Sequence, residues 1–423
     1  EPARQRQRQR QRGFDAPVVP ARLRLARLEG QAVRADRERA GGAHRQCDRH
    51  RCELADARRG VHRRAAIMDG EIELVCGVFS SNPGKSRETG KALYLPEHRI
   101  YLDFEEMIAE EKRLPLGERM DFVAVVTPNH MHAAPIKLAL QNGFHVVSDK
   151  PITLTTAQAQ EIVDLVKETG LIFCLTHNYT GYPMVKEAKA MIAAGAIGKI
   201  RKVIVEYPQG WLATLVEVTG NKQAVWRTDP DKSGEAGGIG DIGTHAANLA
   251  EYITGLKITQ LCADLTIFVE GRQLDDDAHL LLRFDNGAKG ILQNSQIANG
   301  EENDLNIRVY GETGGLQWKQ LDPNTLIHKT NQGARIIRTG VGNLSRAAQL
   351  HTRIPAGHPE GYFEAFANLY RNFALHLRAR WEGTTVDPVY DFPTALDGLR
   401  GMKFIDSVLV SNKSELKWTN FQD

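Results

Sequence analysis

An aspartate and a histidine stand four residues apart, directly after the start of a glycine-rich stretch, Gly237-Gly238-Ile239-Gly240-Asp241-Ile242-Gly243-Thr244-His245. If a helix begins near Asp241, this spacing places both side chains on one helix face. An acid/base pair is one interpretation, because abstraction of a hydroxyl proton needs a group that titrates near neutrality, as histidine does. The alternative is structural, with Asp241 capping the helix and His245 packed in the interior.

A second set of polar residues follows two apolar runs. Residues 121–151 contain two runs of β-branched residues, separated by a predicted helix over Ala133–Gln141. Such runs are typical of parallel strands buried on both faces, and ligands bind at the carboxyl ends of these strands. The pattern therefore places Thr127-Pro128-Asn129 and Lys150 at one sheet edge. We interpret Lys150, between a strand end and a proline, as a functional residue.

Three motifs occur in order along the chain: Thr127-Pro128-Asn129 followed by His132, then Asp149-Lys150-Pro151, then the G-G-x-x-D-x-G-x-H stretch that ends at His245. Together they resemble the glucose-fructose oxidoreductase / inositol dehydrogenase / MocA (Gfo/Idh/MocA) family, from about Val61 to the C-terminus. The chain departs from the family pattern in three ways. His132 is one residue closer to Thr127, Asp149 stands where Glu is usual, and Asn178-Tyr179 stands where many members have Arg.

The resemblance implies an α/β fold, in which a Rossmann-type doubly wound parallel sheet is followed by an α+β domain with a large, mostly antiparallel sheet. We expect the NAD(P)-binding Rossmann domain over residues 60–178. The substrate-binding and oligomerisation domain is expected over residues 179–423. Short apolar runs between residues 258 and 318 agree with an antiparallel sheet, and Asn286-Gly287 is a hairpin signal between two of them.

The implied reaction is hydride transfer between a nicotinamide and a secondary alcohol of a sugar or inositol-type polyol. Catalytic roles fall to Lys150, which stabilises alkoxide charge, to Asp241, which orients the substrate hydroxyls or the imidazole, and to His245, which takes the hydroxyl proton. The expected substrate contacts are Tyr179, Tyr182, Arg227, Asp241, His245 and His358. A tyrosine with a satisfied buried hydroxyl, or a histidine that fixes a loop, is the structural alternative for three of these.

Cofactor choice depends on the end of the strand predicted over residues 71–79. NAD-preferring Rossmann folds carry an acidic residue there, which binds the ribose 2′-hydroxyl. This chain has Ser80 and Ser81, with Lys85 and Arg87 close by, so a 2′-phosphate fits and we favour NADP while allowing NAD. A solvated helix start is the alternative. The remaining expected cofactor contacts are Thr127, Pro128, Asn129, His132, Asp149 and Lys150.

Two functions from other classes stay open. Some relatives use a bound nucleotide transiently to cleave glycosides, and others bind the dinucleotide as non-catalytic regulators. A glycosidase would act without net NAD(P)H formation. A regulator would tolerate loss of the lysine or the histidine, so the joint presence of Lys150, Asp241 and His245 argues against it.

The first 59 residues differ from the rest of the chain. They contain 16 Arg, no Lys and 8 acidic residues, a net charge of +8 in a chain of net charge +2. A dinucleotide fold opens with a strand and a glycine-rich turn, but no G-x-G-x-x-G precedes Val61. We expect residues 1–59 to be a disordered head, or the product of a shifted reading frame or a fusion. The first strand and glycine loop would then be missing.

Composition limits the remaining possibilities. The chain of 423 residues is 42% hydrophobic, enough for two sizeable cores. It has no run of eighteen apolar residues, and its five cysteines are scattered. We expect a cytoplasmic homodimer or homotetramer without disulfides, metal, membrane or specific nucleic-acid partner.

Overall fold

The first of two sheets in this computed structural model is parallel throughout. The structure describes residues 23–28 and 60–421. Five strands pair in the order β2-β1-β3-β4-β5, namely β1 (Leu23–Leu28), β2 (Ile72–Val78), β3 (Phe122–Val125), β4 (His145–Ser148) and β5 (Phe173–Leu175). The helices of this part are α1 (residues 60–67), α2 (Pro83–Ala92), α3 (Phe104–Arg113), α4 (Ala133–Gln141) and α5 (Thr156–Thr169). The predicted doubly wound Rossmann sheet is confirmed.

The expectation that the first strand is missing was wrong. β1 lies between β2 and β3 and pairs in parallel with both. Leu23, Leu25 and Leu28 are buried, and Arg27 is buried with them. The two arginines within this six-residue strand interrupt its apolar run, so its sequence is hard to distinguish from the arginine-rich segments around it. The position of the glycine loop and the rest of the head fall outside the described residues.

The second sheet has nine strands in the order β13-β12-β11-β10-β6-β9-β8-β7-β14. All of its pairings are antiparallel except that of β6 with β9. The bounds are β6 (Ile200–Pro208), β7 (Ile258–Thr266), β8 (Asp277–Phe284), β9 (Lys289–Ser295), β10 (Asn306–Gly311), β11 (Gly315–Lys319), β12 (Asp322–Thr330), β13 (Gly333–Arg338) and β14 (Thr419–Asn420). The mostly antiparallel sheet is therefore confirmed, whereas β12, β13 and β14 carry no apolar run that we predicted.

Seven further helices accompany this sheet among the described residues. They are α6 (Pro183–Ala193), α7 (Lys222–Arg227), α8 (Pro230–Ser233), α9 (Thr244–Thr254), α10 (Arg346–His351), α11 (Tyr362–Glu382) and α12 (Ala395–Lys413). The hairpin at Asn286-Gly287 is confirmed, with Gly287 at φ 86° and the Asn286 side chain accepting from the backbone N–H of Ala288.

Helix α11 returns to the first sheet, although it is far along the chain. Its Phe366, Tyr370 and Phe373 are buried in one cluster with Leu25 of β1 and Phe122 of β3. Another apolar cluster extends from the opposite face of the first sheet to the inner face of the second. The two sheets are therefore joined by packed side chains. The described residues include no helix that is long and apolar enough to cross a membrane.

Candidate active site

A cleft of about 1850 Å³ lies where the first sheet meets the second. Its lining begins with residues just beyond β2, β3 and β4 and continues to α7, the segment before α9, and α11. Open α/β sheets bind ligands beyond the carboxyl ends of their strands, at the point where strand order reverses. That point lies between β1 and β3 in this sheet.

Lys150 and Asp241 form an ion pair inside the cleft. The Nζ atom of Lys150 lies 2.9 Å from Oδ1 of Asp241, and it also contacts the backbone carbonyl oxygen of the same residue. Oδ2 of Asp241 accepts from Nε of Arg227 at 3.2 Å and from Nε2 of Gln296 at 3.0 Å. Burial acts to raise the pKa of Asp241, but the charges of Lys150 and Arg227 outweigh it and hold this pKa well below its usual value. The carboxylate is thus ionised and fixed by three side chains.

His245 stands beside this pair as a neutral imidazole. Burial lowers its pKa well below the usual value, and the positive charge of Lys150 and the neighbouring ring of His177 lower it further. Its Nδ1 atom lies 3.2 Å from Nδ1 of His177, and the ring of Tyr179 packs edge-on against it with centroids 4.9 Å apart. An unprotonated imidazole that lines a cleft can accept a proton from a bound hydroxyl group.

The helix that carries Asp241 and His245 is confirmed, but it begins at Gly238, before the predicted start near Asp241. It is α-helical at Gly238, π-helical over Ile239–Gly243 and α-helical again through α9. π-helical turns are rare and occur frequently at functional sites. Asp241 does not cap this helix, since the carboxylate of Asp275 accepts the backbone N–H groups of Gly237 and Ile239, at 2.6 Å and 2.7 Å. Burial raises the pKa of Asp275 to about 6. The structural alternative for Asp241 is therefore wrong.

Asp149 lies next to Lys150 in the lining of the cleft. Its Oδ1 atom accepts from Oγ1 of Thr176 at 2.8 Å, and its Oδ2 atom is 3.8 Å from Nε2 of His62 on α1. Burial acts to raise the pKa of Asp149, but the facing imidazole of His62 and the charge of Lys150 hold it well below the usual value. Tyr370 of α11 contacts the other ring nitrogen of His62 at 3.0 Å.

The structure brings most of the predicted cofactor contacts to the cleft. Its lining includes Ser80, Ser81, Lys85, Thr127, Pro128, Asp149 and Lys150. It does not include Arg87, Asn129 or His132. Nδ2 of Asn129 donates to the carbonyl of Ser233 at 3.3 Å, and the buried ring of His132 has its nitrogens 2.7 Å and 2.8 Å from the carbonyls of Pro151 and Thr127. These two side chains hold the loops of the cleft together.

Some of the predicted substrate contacts also line the cleft, and others do not. Tyr179 and Arg227 line the cleft together with Asp241 and His245, but Tyr182 and His358 do not. Tyr182 is buried and stacks parallel to Tyr179, with ring centroids 6.3 Å apart. His358 is exposed, and its Nδ1 atom lies 3.1 Å from the carbonyl of Pro355. The structure thus leaves both residues outside the cleft.

Among the residues that contact the predicted site residues, the sequence did not indicate a site role for His62, His177, Tyr207 and Gln296. His177 had the clearest signal, because it follows β5 closely, at the carboxyl edge that already indicated Lys150. The hydroxyl of Tyr207 contacts that of Tyr179 across the cleft lining. Gln296 gave no signal, since only the pairing of β9 with its neighbours brings it to Asp241.

Two family models match the chain. Residues 57–177 match the oxidoreductase family with an NAD-binding Rossmann fold, and residues 185–317 match the Gfo/Idh/MocA C-terminal domain. The uncharacterized oxidoreductase YfiI of Bacillus subtilis is 31% identical over 367 residues, which are 85% of this chain and 93% of that protein.

Two solved structures extend the similarity to the whole fold. An oxidoreductase from Sinorhizobium meliloti is 41% identical with a TM-score of 0.79, covering 94% of this chain and 99% of that one. An inositol dehydrogenase homolog from Azotobacter vinelandii, solved with NADH and myo-inositol, is 30% identical with a TM-score of 0.81, covering 95% and 98%. The chain therefore belongs to the Gfo/Idh/MocA oxidoreductase family and is an NAD(P)-dependent dehydrogenase acting on CH–OH groups.

Proposed function

We propose that this enzyme transfers a hydride between a nicotinamide and a secondary alcohol of a sugar or inositol-type polyol. The observation that carries the proposal is the Lys150–Asp241 ion pair beside the neutral imidazole of His245. The similar Azotobacter vinelandii structure, which contains NADH and myo-inositol, supports the same substrate class.

The cleft has the groups that a dinucleotide needs. Hydroxyls of Ser80, Ser81 and Thr127 and the ammonium groups of Lys85 and Lys150 line it beyond the strand ends, and such groups bind ribose hydroxyls and phosphates. A volume of about 1850 Å³ leaves room for both a dinucleotide and a second, smaller molecule. When bound, the nicotinamide supplies the hydride chemistry.

The protein itself supplies proton transfer and charge stabilisation. His245 takes the hydroxyl proton of the substrate at its unprotonated ring nitrogen. The ammonium of Lys150 stabilises negative charge on the substrate oxygen, and Asp241 holds that ammonium in place through their 2.9 Å contact. Asp241 contacts Lys150, Arg227 and Gln296, so its role is to organise these three donors around the substrate.

We further propose that the enzyme accepts NADP at least as well as NAD. Residues 79–85, which follow β2, include no carboxylate, and Ser80, Ser81 and Lys85 line the cleft. A 2′-phosphate would meet an ammonium there rather than a repelling carboxylate. The assembly we propose is a homodimer or homotetramer formed through the open face of the second sheet.

A polyol screen tests the proposed function. The protein is incubated with inositols, hexoses and sugar alcohols, with NAD⁺ and NADP⁺ in parallel, and the absorbance of reduced nicotinamide is followed. We expect turnover of at least one polyol, and loss of turnover by on the order of a hundredfold or more in His245→Ala, as for a general base. His98→Ala, which removes an exposed histidine in the short 3₁₀ helix Glu97–Arg99, is the matched control.

The glycosidase alternative is tested in the same screen by a second measurement. Cleavage of nitrophenyl glycosides without net formation of reduced nicotinamide would favour it. Absence of any polyol oxidation with either cofactor, in protein that binds NADH, would contradict the proposed function.

A further inference from the structure

His177 contacts the ring of His245, the proposed base, but is not among the residues that line the cleft. Its Nδ1 atom lies 3.2 Å from Nδ1 of His245, with the rings nearly perpendicular at 84°. His177 itself does not line the cleft, but it lines a second pocket of about 210 Å³. The two rings therefore connect two separate cavities.

One of the two Nδ1 atoms must carry the proton of this contact. Burial and the charge of Lys150 lower the pKa of His177 to about 3, and the pKa of His245 is also lowered. Both rings are neutral at pH 7, so each has one N–H group. If His245 holds its proton at Nδ1 and donates it to His177, its Nε2 atom is free to accept a proton from a substrate.

The second pocket offers a route to solvent. Its lining includes polar and charged side chains, among them Asn248, Glu251, Lys257 and Asp397. Lys257 and Gly255 are exposed, so the pocket reaches the molecular surface. The charged groups near the two rings themselves are Lys150 and Asp149 for both, and Asp241 for His245.

We propose that His177 and His245 act as a two-histidine proton acceptor, in which His177 fixes the tautomer of His245 and takes its Nδ1 proton during alcohol oxidation. This inference rests on the proposed function. His177 is a positioning residue, since it acts through His245 rather than on the substrate.

During alcohol oxidation the proton passes from the substrate to His245, and a second proton passes from His245 to His177. Nε2 of His245 forms a bond to the hydroxyl proton, and the electron pair of the broken O–H bond stays on the substrate oxygen. That oxygen becomes a carbonyl as the hydride departs to the nicotinamide. The N–H bond at Nδ1 of His245 breaks, and Nδ1 of His177 takes the proton. Release of the Nε2 proton of His177 into the second pocket returns both rings to neutrality. Exchange with water after product release restores the starting tautomers.

Two substitutions separate the two roles of His177. His177→Asn keeps a carbonyl oxygen that can accept the Nδ1–H of His245, but an amide cannot take up the proton. His177→Phe keeps an aromatic ring of similar size and removes both functions. His98→Asn, at an exposed histidine of the short 3₁₀ helix Glu97–Arg99, is the matched control for a loss of imidazole elsewhere.

The first measurement needs no substrate. Nitrogen-15 NMR of the full chain, labelled at histidine and assigned with His245→Gln, reports which ring nitrogen of His245 carries its proton. We expect the Nδ1–H tautomer in the wild type and in His177→Asn, and the Nε2–H tautomer in His177→Phe. A wild-type His245 protonated at Nε2 would overturn the proposal.

The second measurement is kinetic, with myo-inositol or the polyol selected by the screen. We expect His177→Phe to lose kcat by on the order of a hundredfold or more, as when a base has the wrong tautomer. His177→Asn should lose on the order of tenfold and show a larger solvent deuterium isotope effect, while NADH affinity by fluorescence titration stays unchanged in both. Wild-type kcat in both variants would refute the inference. If no polyol is oxidised, the proposed function fails, but the tautomer measurement still decides on the histidine pair.

Discussion

The side chains of the site control one another's protonation. Burial, and then the charge of Lys150, lower the pKa of His245, so the imidazole is neutral. Burial acts to raise the pKa of Asp241, but the charges of Lys150 and Arg227 lower it and keep the carboxylate ionised. A base of this kind stays unprotonated below the usual pKa of histidine, which is about 6.5. The position of the acid limb of the pH profile therefore reports on the burial of His245 and on the charge of Lys150.

Lys150→Gln should move that acid limb upwards. In the wild type we expect kcat/KM for alcohol oxidation to fall only at a pH well below 6.5, because the lowered pKa of His245 keeps the base free. Removing the positive charge removes one cause of the lowered pKa, so the limb should shift towards 6.5, along with a lower maximal rate. Lys167→Gln, at an exposed lysine of α5, should leave the limb in place. An unshifted limb in Lys150→Gln would show that Lys150 does not control His245.

A charge at Ser80 should change cofactor choice. Ser80→Asp places a carboxylate at the cleft end of β2, where it would repel a 2′-phosphate and accept from a ribose hydroxyl. We expect the ratio of kcat/KM for NADP to that for NAD to fall by on the order of tenfold or more, which corresponds to about 1.4 kcal/mol. Ser80→Asn is the uncharged control of the same size. If the Ser80→Asp and Ser80→Asn variants have the same ratio of kcat/KM for NADP to kcat/KM for NAD, Ser80 does not face the ribose.

At the scale of elements, the site depends on strands and helices that are distant in sequence. β1 separates β2 from β3, so it sets the spacing between the strand ends that carry Ser80 and Thr127. The carboxylate of Asp275, just before β8, fixes the start of the helix that carries Asp241 and His245.

The place of β1 in the sheet can be tested by stability. Leu25 is 1% exposed and packs in one cluster with residues of β3 and α11, so Leu25→Ala should lower the free energy of unfolding by about 2 to 5 kcal/mol. Leu116→Ala, at a leucine that is 83% exposed, is the matched control and should have almost no effect. Denaturant titration followed by circular dichroism measures both. Equal stability of the two variants would mean that β1 is not part of the folded core.

At the scale of the whole molecule, the centre of the second sheet buries one face and exposes the other, because the side chains of β8 alternate between buried and outward positions. Four outward side chains form a row across neighbouring strands, because Cys262 pairs with Leu281, Leu281 with Ile291, and Ile291 with Ile204. Leu281, at the centre of this row, is 45% exposed. A row of apolar side chains across a broad sheet suits a contact between two copies of the chain.

Leu281→Lys should therefore dissociate the proposed oligomer. An ammonium in the centre of a symmetric contact would face its own copy, and the two like charges would also lose water. We expect light scattering after size exclusion to give a dimer or tetramer for the wild type and a monomer of about half or a quarter of its mass for the variant. Leu116→Lys is the matched surface control. An oligomer of unchanged mass in Leu281→Lys would exclude this face as the contact.

The class of fold and the proposed catalytic residues could be predicted from the sequence alone, because both predictions rest on local patterns. Buried parallel strands have continuous apolar runs, and Lys150, Asp241 and His245 stand at strand ends or helix starts that such runs predict. The parallel sheet, the large mostly antiparallel sheet and the family were all predicted from these features.

Tertiary structure decided the remainder. β1 contains two arginines and has no apolar run to reveal it, so only its pairing with β2 and β3 identifies it as a strand. His177 and Gln296 reach His245 and Asp241 from 68 and 55 residues away in sequence. His358 has a side chain that could bind a substrate, but the fold places it at an exposed position outside the cleft. Contacts between distant segments depend on strand order and helix packing, which local sequence patterns do not specify.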